Sequence, residues 1–249
     1  MKCKETMSKS FLLVGGSSDI ARILATMLLD EGHSVTLLAR DAERVADLVT
    51  RGAELVVGDA LDEATVQAAV AEASQHGEPG LSGMAHLVGS IALRPPHATK
   101  LEDFETVIQT NLTSAFIALK TSGKAMLKLG SGRMVFTSSV AGSYGLTNHE
   151  AIAAAKGGIE AMVRAAASTY AGRGLRVNAV APGLTDTKLS SNITKSEALL
   201  EAAVSMIPMK RINEPDEIAD AMFWLLTGAP DNLTGQILHL DGGMKHVRN

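Results

Sequence analysis

The sequence predicts a single doubly wound α/β domain, a parallel seven-stranded sheet with helices on both faces, and three observations predict it. Short apolar runs alternate with helix-period segments along the chain, and right-handed crossovers make such alternation a parallel sheet covered on both sides. The first apolar run ends in a glycine-bearing turn, Gly15-Gly16-Ser17-Ser18-Asp19, that opens directly into a helix. At 249 residues with 46% apolar and 20% charged side chains, the chain has the size and make-up of one globular domain of this class.

The elements follow in order. Ser10–Val14 is the first strand, and Ile20–Leu29 carries helix-period apolar residues that stop at Gly32. Strand Ser34–Ala39, helix Asp41–Thr50, strand Ala53–Val57 and helix Asp62–Gln75 repeat the pattern. A strand at Met84–Val88, a long helix over Leu101–Leu127 and a strand at Arg133–Thr137 come next. A helix at His149–Tyr170, a strand at Arg176–Val180, a helix at Glu214–Leu226 and a strand at Gln236–Leu240 complete the series. One stretch breaks the rhythm: after Pro182 a polar loop, Thr185–Lys195, leads into an apolar helical piece, Ala198–Ile207. An insertion at the carboxyl end of a strand lies where open α/β sheets bind ligands, so the segment at about 185–212 reads as a substrate lid or as a surface helix that helps oligomerise. Met206, Ile207 and Met209 suit a cleft for a moderately apolar substrate, or simply a core.

Composition narrows the partners. A net charge of −4 offers no general attraction for nucleic acid or an anionic membrane, and no run approaches the ~20 apolar residues of a spanning helix. The single cysteine, Cys3, cannot close an internal bridge and fits a reducing compartment. Residues 1–9 read as a loose polar tail rather than a signal peptide, because the apolar stretch that follows stops at Gly15. The expectation is a cytoplasmic protein of one domain over 10–249 with a small-molecule substrate, needing no metal.

The chemistry starts at the first turn. Gly15, Ser17, Ser18, Asp19 and Ile20 stand where a helix N-terminus and close backbone approach favour a phosphate. The second strand ends in Leu38-Ala39-Arg40, without the carboxylate that would hold a ribose 2′-hydroxyl. An arginine there suits a 2′-phosphate, which points to NADP(H) rather than NAD(H). Asp59 and Ala60, after the third strand, border the adenine side of the same cleft.

Further along stand Asn111-Leu112-Thr113, Ser138-Ser139, Lys156, Val177-Asn178-Ala179-Val180-Ala181-Pro182-Gly183, Thr234-Gly235-Gln236 and Asp241-Gly242-Gly243. In this order and spacing the chain closely resembles the short-chain dehydrogenase/reductase family over residues 10–243. The resemblance implies a Rossmann-fold subunit in a homodimer or homotetramer, built through the long helices and the C-terminal strand, that moves hydride between a nicotinamide and a carbonyl or alcohol carbon. It implies that Asn111 positions a water, Ser139 holds the substrate oxygen, and Lys156 holds the nicotinamide ribose. Val88 and Gly89, with Pro182, Gly183, Thr185 and Thr187, then line the nicotinamide and diphosphate.

The departures carry as much information. The family's Tyr-x-x-x-Lys places tyrosine at position 152, and this chain has Ile152 there. An aliphatic side chain exchanges no proton, and general acid–base help is worth about 10²–10⁴-fold. His149, seven residues before Lys156, lies on the same stripe if the helix already includes it; that spacing matches the family's enoyl-reductase branch. It is either a substitute donor or a helix-entry residue, and Tyr144 is either a second donor or an aromatic lining the cleft. Asp19 and Ala21 replace two glycines of the family's loop. His86, in place of an asparagine, reads as a structural stand-in bonded to backbone. Three functions are consistent with this: an oxidoreductase acting on a conjugated C=C bond, one acting on a ketone or alcohol, and a binding-only NADP(H) sensor or assembly partner.

Overall fold

The computed structural model describes residues 8–247. Seven strands form one all-parallel sheet: β1 (Ser10–Val14), β2 (Ser34–Ala39), β3 (Glu54–Val57), β4 (Leu81–His86), β5 (Gly132–Thr137), β6 (Leu175–Pro182) and β7 (Ile237–Leu240), in the order β3-β2-β1-β4-β5-β6-β7. Every residue of β1 is buried, as a central strand covered on both faces requires.

The helices are α1 (Asp19–Asp30), α2 (Ala46–Thr50), α3 (Glu63–Ala73), α4 (Leu101–Ile108), α5 (Ser114–Leu129), α6 (Glu150–Tyr170), α7 (Ser191–Thr194), α8 (Glu197–Ser205) and α9 (Pro215–Thr227). They divide the core into two layers. On one face Val66, Ala115, Met126, Ile159 and Val163 of α3, α5 and α6 pack on the strands. On the other, Leu24 and Leu28 of α1 meet Ile218, Met222 and Leu226 of α9. The strand order turns back between β1 and β4, and that reversal opens a crevice above the carboxyl ends of the strands.

Most expected elements stand within a residue or two of their predicted bounds, and the differences bear on the site. β4 was expected at Met84–Val88 but ends at His86, so Leu87, Val88 and Gly89 leave the sheet and border the crevice. The long helix expected from Leu101 is interrupted by a π-helical turn at Gln109–Thr113. Helix α6 begins at Glu150, with His149 as its N-cap residue rather than inside it. Of the expected N-terminal tail, residues 1–7 lie outside the described residues. Lys9 is no loose residue, because its carbonyl accepts the amide of Ser34 at 2.9 Å, and that of Ser8 accepts the amide of Glu78 at 3.1 Å. Of the alanines near the start of α6, Ala151 and Ala155 are buried with Ile152 and Val107, whereas Ala154 is exposed.

Candidate active site

Two cavities open along the crevice. The first, of about 440 Å³, is bordered by Gly15, Ser17, Ser18, Asp19, Ile20, Arg40, Asp59, Ala60, Val88 and Gly89, all of them sequence-predicted cofactor residues. Gly15 has a φ of +88°, and a Cβ there would stand 2.9 Å from the backbone of Leu87 and Val88. Only glycine lets the two loops approach so closely. The Ser18 side chain caps α1 by accepting the Ala21 amide at 3.2 Å.

Two guanidinium groups stand at the far end of this cavity. Arg40 is exposed and lies 3.8 Å from Asp59. Arg44, which the sequence reading missed, also lines the cavity and reaches back to Asp19 at 3.2 Å. Its signal was present as a second arginine four residues after Arg40, in the same loop. Asp19 spans the crevice as well, since its carboxylate accepts the Lys188 amide at 2.7 Å. A carboxylate in place of the family's glycine thus ties the start of α1 to the segment after β6.

The second cavity, of about 430 Å³, meets the first at Ile20, Thr137, Thr187 and Leu189. Ser139, His149, Ile152 and Lys156 line it, with Pro182, Gly183, Thr185 and Thr187. Lys156 is 6% exposed and its ammonium donates to the Thr137 carbonyl at 2.8 Å. Burial pushes its pKa down to about 8. Ile152, one turn earlier on α6, is buried at 4% exposure and forms an apolar wall of the same cavity.

His149 is held by its ring. Nδ1 lies 2.8 Å from the Thr147 carbonyl, an acceptor, so Nδ1 carries the hydrogen. In the neutral ring Nε2 is then a lone pair, and in the imidazolium it is an N–H that can be given up. Position 149 lies outside the helix, so the stripe expected from spacing alone does not place this side chain; the N-cap turn does.

Two predicted residues lie elsewhere. Tyr144 is 41% exposed and borders neither cavity. Asn111 is fully buried in the π-helical turn and borders neither cavity. Its side-chain amide donates to Ser90 Oγ at 2.9 Å and to the Val107 carbonyl at 3.0 Å, and its carbonyl oxygen accepts the Ser90 amide at 3.3 Å. Ser90, a cavity residue that the sequence reading missed, carries that contact to the surface of the second cavity.

Neighbouring polar residues brace the site. The Ser138 hydroxyl donates to the buried carboxylate of Glu160 at 3.0 Å. His86 is fully buried and bonded through Nε2 to Ser114 Oγ at 2.9 Å, a side chain rather than the expected backbone group. Ser114 already donates to the Thr110 carbonyl, so Nε2 of His86 carries the hydrogen and the buried Nδ1 is a bare lone pair. Burial, and then the charge of Lys156, push this histidine down to about 3.

A parallel sheet with a glycine-bearing turn at its switch point and a lysine–serine pocket beside it is the framework of an oxidoreductase. The chain belongs to the short-chain dehydrogenase/reductase family: the family model described as enoyl-(acyl carrier protein) reductase matches residues 15–245. It is 31% identical to the 3-oxoacyl-(acyl-carrier-protein) reductase MabA of Mycobacterium tuberculosis, over 96% of this chain and 93% of that protein. It is 33% identical to the inactive 2-(S)-hydroxypropyl-CoM dehydrogenase 2 of Xanthobacter autotrophicus, over 90% and 100%. The structure of ElxO with NADP bound superposes with a TM-score of 0.87 at 25% identity, covering 96% of this chain and 99% of that one.

Proposed function

We propose that the protein is a cytoplasmic NADP(H)-dependent oxidoreductase that transfers hydride to or from a carbonyl/alcohol or a conjugated C=C substrate, with His149 in place of the family's phenol. The observation that carries this reading is the joining of the two cavities, which share Ile20, Thr137, Thr187 and Leu189. Gly15 and the start of α1 would hold the phosphates of a dinucleotide, and Ser139 and Lys156 line the cavity that joins there. NADP(H), the nucleotide bound in ElxO, would supply or accept the hydride here.

The residues of this chain do the rest. Arg40 and Arg44 hold the 2′-phosphate, since two guanidinium groups at the end of β2 suit a dianion. Lys156 holds the ribose, and its positive charge stabilises negative charge developing on the substrate oxygen. Ser139 donates a hydrogen bond to that oxygen. In reduction of a ketone, hydride adds to the carbonyl carbon, the C=O π bond opens, and the proton from His149 Nε2 ends on the oxygen. For an enone, Ser139 and Lys156 would hold the oxygen of the enolate left once the β-carbon has gained the hydride, and water would give the α-carbon its proton. Asn111 positions Ser90 and the loop at Gly89. The segment at 185–212 closes over the substrate as a lid.

A binding-only sensor is less well supported, because it has no use for the second cavity. Assembly as a homodimer or homotetramer is supported by exposed apolar residues on two of the expected elements, Leu101 and Phe116 on the first long helical stretch and Leu238 on the edge strand β7, and by Trp224 on α9, which was not an expected face.

Oxidation of NADPH against enones, β-ketoacyl thioesters and simple ketones tests the reading. His149→Ala is expected to lower kcat by about 10²–10⁴-fold while leaving NADPH affinity unchanged; an unchanged kcat removes His149 from the chemistry. Arg40→Ala and Arg44→Ala are each expected to weaken NADPH binding by about tenfold or more, the worth of a hydrogen bond to a charged group, and to leave NADH binding alone. Equal affinity of the wild type for NADPH and NADH would remove the 2′-phosphate assignment.

A further inference from the structure

The lid helix α8 buries no residue of its own. Its Leu199 and the following Met206 are 52% and 54% exposed, and Leu189 at the start of the segment is 53% exposed. All three line the second cavity. The same cavity is also lined by Ile91 and Leu93, each 41% exposed, and by the buried Ile152. These apolar side chains share a space of about 430 Å³, and Leu189, Leu199, Met206, Ile91 and Leu93 each lack the apolar neighbour that would take them out of water.

Hydroxyls of Ser90, Thr147, Thr185 and Ser190 dot the walls of this space, but its ionisable groups are few. Among its lining residues the ionisable ones are His149 and Lys156 alone, with no arginine, aspartate or glutamate. Lys156 stands beside Ser139 at the end where the first cavity joins. A carboxylate or sulfonate placed under α8 would surrender its hydration without a cation to pair with, since the residues of α8 that line the cavity are Leu199, Ala202 and Ala203. Where the family's phenol would add a hydroxyl, Ile152 continues the apolar wall to within one turn of Lys156.

We infer that the substrate is a neutral, apolar carbonyl compound: its one polar group sits at Ser139 and its uncharged hydrocarbon body lies against α8 and the Ile91–Leu93 segment. Leu199 and Met206 select it by contact area. This rests on the oxidoreductase reading above and adds the substrate class to it.

Calorimetric titration of the protein–NADP⁺ complex, in which no hydride is available, with a series of 2-alkanones of increasing length tests this without turnover. Affinity is expected to rise about fourfold per added methylene, the equivalent of ~0.8 kcal/mol, until the cavity is filled. A 2-alkanone of the same length ending in a carboxylate should bind at least about tenfold more weakly. Leu199→Asn and Met206→Gln should each lower the slope per methylene. A flat series, or carboxylate and polyhydroxy ketones binding as well as the alkanone, overturns the inference. So does dissociation of an oligomer by Leu199→Asn with the slope intact, since α8 then serves a subunit contact. Titration with NADP⁺ alone separates the two claims. Nucleotide binding with a flat series leaves the oxidoreductase reading standing and removes the substrate class. Alkanone binding without nucleotide binding removes the reading itself.

Discussion

His86 and Lys156 are a buried base and a buried acid, and both titrate away from their ordinary values. His86 is neutral in the fold with a pKa of about 3 against an ordinary 6.5. Below 6.5 the unfolded chain takes up a proton that the folded chain refuses, so the stability contribution is complete above that value and is lost as pH falls toward 3. The expected loss is up to about 1.4 kcal/mol per pH unit, read by urea unfolding at several values between about pH 6.5 and 4, and His86→Asn should remove that part of the slope. An unchanged slope in the variant would show that His86 is not the titrating group. Lys156 runs in the opposite range: with a folded pKa of about 8 against an ordinary 10.5, the cost of burying its charge is present in full below about 8 and is relieved as pH rises toward 10.5. At this scale the sequence was most informative where spacing within one element fixed the position. Ser139 at the end of β5 and Lys156 on α6 stand in the second cavity, and Arg40 stands in the first. Tyr144, Arg44 and Ser90 were misplaced or missed because turns decide where they point, and a turn's path depends on contacts far away in sequence.

Helices and strands were readable because periodicity reports burial, and their interruptions were not. The π-helical turn Gln109–Thr113 adds one residue to a helical turn without disturbing the apolar pattern that announced a helix. That turn places Asn111 against Ser90 rather than at a cavity wall. The end of β4 was misread for a similar reason: Leu87 and Val88 are apolar, but they border the cofactor cavity instead of pairing in the sheet. Helix α9 shows an end that the sequence does specify. Glu217 accepts the Glu214 amide at 2.9 Å in a capping box and holds Arg211 by two bonds of 2.6 and 2.7 Å. Arg211 first, then the amide, keep the Glu217 carboxylate at about 2. The helix it starts delivers Ile218, Met222 and Leu226 to the face shared with α1. Glu217→Ala is therefore expected to cost about 1 kcal/mol of stability, the worth of a helix cap, measured by chemical denaturation. A change within about 0.3 kcal/mol would show that α9 is positioned by its apolar face alone.

For the molecule as a whole, the strand order places both cavities. Reversal between β1 and β4 opens the crevice, the loops after β1, β2 and β3 build the nucleotide cavity, and β5, α6 and the segment after β6 build the second one. The fold class, the seven strands and the cofactor loop were legible because they rest on periodicity and on a short glycine-bearing turn. The depth of the second cavity and its apolar lid were not, since both depend on how a segment of more than twenty residues folds back over the sheet. The central claim is that this crevice transfers hydride without a phenol. Its most direct measurement uses NADPH deuterated at C4 and mass analysis of the product from wild type and Ile152→Tyr. The expected result is one deuterium carried to carbon by the wild type, with Ile152→Tyr adding little to the rate because His149 already gives the proton, a service worth about 10²–10⁴-fold. Tight NADPH binding with no deuterium transferred by the wild type, and transfer by Ile152→Tyr alone, would contradict it.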